Sequence, residues 1–146
     1  MKKTDNLPFI KIFFQKKFKI RYNLKNFVEK ILEKENKTDV YINLIFVDDE
    51  KIKQINTDFR MKKSATDVIS FGYNEKKQTG GDVFISVETA KINAKIYDLS
   101  FEEEMLRLVA HGVLHVLGYD HTDVFNKTEE MKKKQEKYVS LFLKER

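Results

Sequence analysis

The sequence predicts an α+β fold, in which a mixed four-stranded sheet is packed with about five helices around a buried central helix. The hydrophobic pattern alternates between strand and helix periods in the order β-α-β-α-β-β-α-α-α. One helical segment, residues 101–117, is apolar nearly all round past its first turn, as expected for a helix buried on every side. The 146 residues and 41% hydrophobic content suit one folded domain, predicted to span residues 1–146.

The N-terminal segments predict a strand, a helix and a second strand. Residues 8–20 alternate imperfectly between apolar and basic side chains, which indicates a strand with lysines facing solvent. Residues 24–35 follow Asn23, a suitable N-cap, and carry the apolar stripe of an amphipathic helix. Residues 39–47 are largely apolar on both faces. That pattern is typical of a strand in the centre of a sheet.

The middle of the chain predicts a short helix followed by a hairpin. The helix covers about residues 50–58, and residues 59–67 are predicted to form a basic loop. Residues 67–72 and 82–86 are short apolar strands. The polar segment between them, 74–81, ends in two glycines and is predicted to be a turn or an exposed loop.

The C-terminal part predicts three helices. Residues 87–97 place apolar side chains at helical spacing, and residues 101–117 open with a capping box. The last helix covers about residues 127–144. The side chains expected to face the core are Val87, Ala90, Ala94 and Tyr97 of the first helix, and Met131, Tyr138, Leu141 and Phe142 of the last.

All three histidines of the chain lie within the eleven residues HGVLHVLGYDH, 111–121. His111 and His115 are four residues apart, so on a helix their rings leave the same face. Gly118 can take the positive φ that ends a helix, after which the chain can return His121 to that face. Three imidazoles with an open fourth position are typical of a catalytic site for one zinc ion.

Gly112 separates this pattern from the zinc peptidases that share its spacing. Those enzymes need a glutamate directly after the first histidine as general base, and Gly112 supplies no carboxylate. The missing side chain leaves clearance either for a metal or for close packing of the helix.

Composition excludes several classes of protein. The chain has no cysteine, so disulfides and thiolate metal sites are excluded. No apolar run approaches the length of a membrane span, and the lysine-interrupted N-terminus lacks the core of a signal peptide. We therefore expect a cytoplasmic protein without a membrane partner. The net charge of +5 favours a polyanionic partner such as RNA, although lysine is also a common surface residue.

Three segments together resemble the YbeY family of ribosomal-RNA maturation endoribonucleases. They are the histidine motif, INTDFRMK at 55–62 followed by ATDVISF at 65–71, and GGDVFIS at 80–86, in the family's order. The histidine motif together with TDV-x-SF is specific to the family. The resemblance implies a zinc-dependent endoribonuclease that acts on single-stranded RNA. It also implies work on the 3′ end of small-subunit rRNA and in ribosome quality control.

The resemblance also assigns residues and partners. His111, His115 and His121 are the implied zinc ligands, and the family's functional arginine and nearby lysine correspond to Arg60 and Lys62. The small ribosomal subunit is the implied partner, with a ribosomal protein and an assembly GTPase as further suggestions.

The chemistry of phosphodiester hydrolysis assigns roles to these side chains. Arg60 can bind two phosphate oxygens with its planar fork, so it is predicted to be catalytic together with His115. Arg60 and Lys62 are predicted to bind the RNA backbone. Asp82 and Asp120 are candidates for a supporting hydrogen bond to an imidazole or for the general base. Arg107, one turn before His111, either reaches phosphate, extends to the surface or pairs with Glu103 or Glu104.

Two other functions fit the same motif. One is another zinc hydrolase, close to the metallopeptidases, which the glycine after His111 disfavours. The other is a ribosome assembly factor whose metal is structural, which would need a fourth protein ligand such as Asp120 or Asp123.

Overall fold

The computed structural model describes residues 9–60, 68–74, 79–119 and 127–145. Within these ranges the elements follow the predicted order. The strands are β1 (Phe9–Phe14), β2 (Val40–Val47), β3 (Val68–Asn74) and β4 (Thr79–Ser86). The helices are α1 (Leu24–Lys34), α2 (Asp49–Arg60), α3 (Val87–Ile96), α4 (Phe101–Val116) and α5 (Lys127–Lys144).

The sheet is mixed, as predicted, with the strand order β1-β2-β4-β3. β1 and β4 both pair with β2 in parallel, whereas β3 pairs with β4 in the antiparallel sense. β2 therefore lies inside the sheet, which explains why both of its faces are apolar. β1 and β3 form the two edges of this sheet.

Helices cover both faces of the sheet. Leu44 and Val83 are paired in register, and they join the large core that α1, α4 and α5 complete. Ile45 and Phe84 are the next residues along the strands and face the opposite side, where α2 packs. We call these the α4 face and the α2 face of the sheet.

α4 is the buried central helix that the sequence predicts. Its side chains from Met105 to Leu114 contact the sheet, α1, α3 and α5, and most are wholly inaccessible. Burying each large apolar side chain stabilises the fold by roughly 2 kcal/mol. Ser100 caps the helix, because its hydroxyl accepts a hydrogen bond from the backbone N–H of Glu103 at 3.0 Å. The position of α4 fixes the position of the histidine motif.

The first strand is shorter than predicted, and the hairpin strands are longer. β1 ends at Phe14 because the next two backbone N–H groups both turn to the carbonyl of Phe46. β4 begins at Thr79, inside the segment predicted to be a turn, because residues 79–81 pair with β2 on one side and with β3 on the other. Ladder pairing on both sides thus overrides the turn preference of the glycines.

The predicted core positions of the last helices are mostly confirmed. Val87, Ala90 and Ala94 are buried, but Tyr97 is 56% exposed, so its prediction is wrong. Tyr97 is the residue that ends α3, and its ring lies over the guanidinium of Arg107 at 5.7 Å.

On α5 the predicted side chains Met131, Tyr138 and Phe142 are buried, and Leu141 is partly buried. None of the helices in the described ranges combines the length and the apolar character that crossing a bilayer requires.

Candidate metal centre

α4 presents the first two histidines of the motif on one face of its last turns. His111 and His115 are both partly buried and stand four residues apart in a continuous helix. Their rings therefore leave the helix in nearly the same direction. The helix predicted from the spacing of His111 and His115 is therefore present.

A glutamine from α5 orients the ring of His111. The Nδ1 atom of His111 lies 2.9 Å from the Oε1 atom of Gln135, which is 7% exposed. An amide oxygen accepts a hydrogen bond, so this contact places the proton of the imidazole on Nδ1. The Nε2 atom of His111 then carries the lone pair that a metal ion requires.

A chain of charged groups holds that glutamine in place. The Nε2 atom of Gln135 donates to Oε2 of Glu136 at 3.1 Å, which keeps its oxygen turned towards the histidine. Arg107 donates to the same Glu136 oxygen at 2.9 Å and to Oε1 of Glu104 at 2.7 Å. Glu104 is 1% exposed. The pairing of Arg107 with Glu104 was one of the predicted alternatives, and the pairing with Glu136 was not foreseen.

The edge strand β3 supports the second histidine. The Oγ atom of Ser70 lies 2.9 Å from Nδ1 of His115. A hydroxyl can donate or accept, so Ser70 allows either tautomer, and metal binding at Nε2 would select Nδ1–H donating to Ser70. Both imidazoles are thus anchored through Nδ1.

This donor set fits a zinc ion bound through the Nε2 atoms. Metal-bound histidines generally donate their other ring N–H to a protein acceptor, and Gln135 and Ser70 are such acceptors. Within residues 9–60, 68–74, 79–119 and 127–145, no group of three or more His, Cys, Asp or Glu side chains could hold a metal ion. The third histidine of the motif, His121, lies outside these ranges.

A pocket of about 180 Å³ opens beside His111. Its walls come from β3, α4 and α5 and include Arg107 and Gln135. The His111 ring therefore borders a space that a ligand can enter. The apolar wall is formed by Val68 and Leu108.

Gly112 allows α4 to lie directly on the sheet. A Cβ atom built on Gly112 would lie 2.4 Å from the Cγ1 atom of Val83 and 3.4 Å from Cγ2 of Val68. Val83 is fully buried, so it has no room to withdraw. Of the two explanations left open by the sequence, close packing accounts for this glycine.

Gly118 ends α4 as predicted. It has a φ of +114°, and its N–H bonds to the carbonyl of His115 while that of Tyr119 bonds to Leu114. These two bonds form a Schellman motif, which reverses the chain after a helix. The motif carries the backbone away from the helix axis just before the residues that lead to His121.

A cluster of polar side chains fixes the chain after this turn. Glu35, at the end of α1, accepts hydrogen bonds from the hydroxyl of Tyr119 at 2.9 Å and from the ammonium of Lys134 at 3.0 Å. The hydroxyl of Tyr138 donates to the same carboxylate, and Lys134 also donates to Tyr119. We call Glu35, Tyr119, Lys134 and Tyr138 the tyrosine cluster. It connects α1, the end of α4 and α5.

Comparison with known sequences matches this chain to one family. The family model described as "Endoribonuclease YbeY" matches residues 11–142, which is most of the chain. The chain belongs to the YbeY endoribonuclease family. A relative named "Endoribonuclease YbeY" from Flavobacterium johnsoniae is 40% identical over 113 residues, which cover 77% of this chain and 80% of that protein. A relative of the same name from Thermotoga maritima is 38% identical over 121 residues, which cover 83% and 79%.

A solved structure shares the fold. The solution structure of a Thermotoga maritima protein superimposes with a TM-score of 0.67 at 37% identity. The match covers 89% of this chain and 86% of that one. The α+β fold predicted from the sequence is thus confirmed for this member of the YbeY family.

The described residues contain part of the predicted YbeY-type site. His111 and His115 are brought together, whereas His121, Asp120 and Lys62 lie outside the described ranges. Arg60 is the last residue of α2, and only its backbone is described. α2 packs on the face of the sheet opposite to α4.

The structure does not bring Asp82 together with the two histidines. Its neighbour Val83 contacts Gly112 of α4, so Asp82 points to the α2 face. There its Oδ1 atom accepts a hydrogen bond from Nδ2 of Asn43 at 2.9 Å. The sheet itself separates Asp82 from His111.

Sequence reasoning missed the two side chains that orient the imidazoles. Gln135 could have been found, because it occupies a position in the apolar stripe of α5, between Met131 and Tyr138. A polar residue in a core stripe needs a partner. Ser70 gave a weaker signal, since it shares a strand face with Val68 and is small.

Proposed function

We propose that this chain is a zinc-dependent endoribonuclease that cleaves single-stranded RNA. The observation that carries the proposal is the anchoring of His111 and His115 through Nδ1 by Gln135 and Ser70. A helix that only packs against the sheet has no need for two imidazoles that are both held at Nδ1 and both leave Nε2 for a metal ion. Membership of the YbeY family supplies the substrate class.

One zinc ion is proposed to bind His111, His115 and His121. A bound zinc ion supplies Lewis-acid chemistry and lowers the pKa of a water molecule towards neutrality. The chain contributes orientation, because the partners on Nδ1 fix the tautomer and direction of each ring. Asp120, next to His121, is proposed to orient that imidazole in the same way.

Arg60 and Lys62 are proposed to hold the RNA backbone. The guanidinium of Arg60 can bind two phosphate oxygens and stabilise the negative charge that builds during hydrolysis. The chain that carries Lys62 continues into β3, whose Ser70 contacts His115. That proximity in sequence supports a role for the basic segment in the same reaction.

The proposed cellular role is maturation of the 3′ end of small-subunit rRNA, together with ribosome quality control. The proposed partners are the small ribosomal subunit, a ribosomal protein and an assembly GTPase, and the proposed location is the cytoplasm. The net charge of +5 supports a polyanionic substrate.

The direct test is cleavage of an unstructured RNA by zinc-loaded protein, compared with His115→Ala and Arg60→Ala. We expect His115→Ala to lose both zinc and activity. We expect Arg60→Ala to keep zinc and lose about a hundredfold or more in rate, as expected when a charge-stabilising group is removed.

Three outcomes would contradict the proposal in different ways. If both variants cleave like the wild type, the activity comes from a contaminant. If zinc binds but no RNA is cleaved, the metal is structural and the chain is better described as an assembly factor. Peptide hydrolysis in the same preparation would favour another zinc hydrolase.

A further inference from the structure

Strand β1 carries an exposed row of aromatic and basic side chains. Phe9, Lys11 and Phe13 alternate along the strand and therefore share one face. Phe9 is 43% exposed and Phe13 is 49% exposed. Their register partners on β2 are Tyr41, Asn43 and Ile45, so the row lies on the α2 face of the sheet. Burial in the core does not explain these phenylalanines.

The row lies at an edge of the sheet and within reach of cations. β1 is the outer strand in the order β1-β2-β4-β3. The ammonium of Lys11 lies 5.0 Å from the centre of the Phe9 ring. Residues 9–20 contain four phenylalanines, four lysines and no acidic residue. Lys17 and Lys19, which follow the strand, are exposed.

This chemistry favours a nucleic acid over a protein as the occupant. Lysine is depleted in the cores of protein interfaces, yet Lys11 stands between the two phenylalanines. Lysine on an edge strand also opposes the addition of another strand. Aromatic rings interleaved with cations are typical of surfaces that stack bases and contact phosphates of single strands.

We propose that Phe9, Lys11 and Phe13 form a platform for single-stranded RNA, with bases stacking on the two rings and Lys11 contacting the backbone. The proposal rests on the function proposed above and extends the substrate contact to the far edge of the sheet. Phe9 and Phe13 are about 13 Å apart along the strand, which leaves room for Lys11 and a sugar–phosphate segment between two stacked bases.

The platform lies away from the histidines. β3, whose Ser70 contacts His115, is the opposite edge of the sheet, about 14 Å from β1 across three strand spacings. His115 also lies on the α4 face of the sheet, whereas the platform lies on the α2 face. The platform would therefore bind nucleotides that are not the ones cleaved. Its contribution should appear with long RNA and vanish with fragments too short to reach β1.

The test is binding of a fluorescein-labelled 2′-O-methyl uridine strand of about 20 nucleotides, which resists hydrolysis, to the full chain. We expect Phe9→Ala and Phe13→Ala each to weaken binding about tenfold, because one stacking contact is lost. Phe13→Tyr should retain binding, since tyrosine also stacks. Lys11→Ala should lower the slope of log affinity against log salt concentration by about one.

Matched controls separate this proposal from instability. Ile96, on α3, is 68% exposed, and Ile96→Ala should bind like the wild type. A strand of about four nucleotides is too short to occupy the zinc site and the platform together, so the wild type and the Phe9→Ala, Phe13→Ala double variant should cleave it at the same rate.

Three results would overturn the proposal that Phe9, Lys11 and Phe13 bind RNA. The first is a double variant that binds the long strand as tightly as the wild type while the wild type cleaves RNA. The second is a change in the oligomeric state of the double variant with unchanged RNA affinity, which would assign the row to a second copy of the chain. The third is a wild type that neither binds nor cleaves RNA, which would reject the proposed function as well.

Discussion

Helix α5 contacts the histidine motif at two positions, His111 and Tyr119, through two different polar networks. At the start of the motif, Gln135 contacts His111 and is backed by Glu136 and Arg107, whose side chains are 47% and 22% exposed. At its end, the tyrosine cluster surrounds Glu35, whose side chain is only 7% exposed. One network contacts a predicted metal ligand, and the other contacts the side chain of Tyr119, in the turn that ends α4.

The difference in burial predicts that one network orients the His111 ring and the other stabilises the fold. A buried carboxylate with several donors is costly to leave unpaired, so the tyrosine cluster should contribute mainly to the free energy of unfolding. The ion pair of Arg107 with Glu136, which is 47% exposed, is worth little by itself, and the buried Glu104 keeps its partner Arg107 when Gln135 is changed. A change at Gln135 should therefore act mainly on the direction of the His111 ring. Variants in the two networks should therefore affect different measurements.

The largest effect is expected from Glu35→Gln. The change replaces the carboxylate that accepts hydrogen bonds from Lys134, Tyr119 and Tyr138 by a neutral amide. The free energy of unfolding should therefore fall by about 2 kcal/mol. Urea unfolding of the metal-free protein measures it. Glu33→Gln, at an exposed position of the same helix, should change stability by less than about 0.5 kcal/mol. Equal effects of both variants would refute the special role of the cluster.

The next effect is expected from Gln135→Leu on zinc affinity. Leucine fits the apolar stripe of α5 but accepts no hydrogen bond from Nδ1 of His111, so zinc should bind about tenfold or more weakly. The urea midpoint should stay nearly unchanged. Gln135→Glu keeps an acceptor for Nδ1 but loses the donor to Glu136, so it should bind zinc more tightly than Gln135→Leu. If Gln135→Leu loses stability but not zinc affinity, Gln135 stabilises the fold and does not orient His111.

A smaller loss is expected from Ser70→Ala. The hydroxyl of Ser70 lies 2.9 Å from Nδ1 of His115, and a water molecule can replace it, so zinc affinity should fall by about threefold to tenfold. Ser140→Ala, on the exposed side of α5, is the control. A competition titration with a chromophoric chelator resolves such a change. Identical affinities would show that Ser70 does not orient the ring.

The smallest effect concerns pH. Burial raises the pKa of Glu35, but the hydrogen bonds from Tyr138, Lys134 and Tyr119 lower it more, so its pKa lies below the usual range. The stability that this carboxylate contributes is present above its unfolded pKa and is lost as the pH falls through its folded pKa. The stability gap between wild type and Glu35→Gln should therefore narrow in acid. A gap that is constant from neutral to acidic pH would contradict the role of its charge.

Local patterns in the sequence predicted most of the fold and the start of the site. The period of the apolar residues located α4 and α5, and Gly118 marked the end of α4, because both signals depend on neighbouring residues. Gln135 and Ser70 act on residues 24 and 45 positions away. Such contacts depend on how α5 and β3 pack against α4, which no local pattern contains.

Packing also decided two questions that the sequence left open. Gly112 fits against Val83, which shows that its absent side chain serves the contact between helix and sheet. Asp82 faces Asn43 on the α2 face, because the register of β4 sets the direction of each side chain. A shift of one residue in the register of β4 would have turned Asp82 to the α4 face.

The proposed function depends on one zinc ion bound by His111, His115 and His121, the first two through their Nε2 atoms, because Gln135 and Ser70 contact these rings at Nδ1. The most direct measurement is the zinc content and affinity of the dialysed wild type beside the three single His→Ala variants, with helix content followed by circular dichroism. We predict one tightly bound zinc ion per chain in the wild type and none retained by any variant, with the helix content unchanged. A wild type that retains no zinc, or variants that retain it as tightly, would contradict zinc binding by the three histidines.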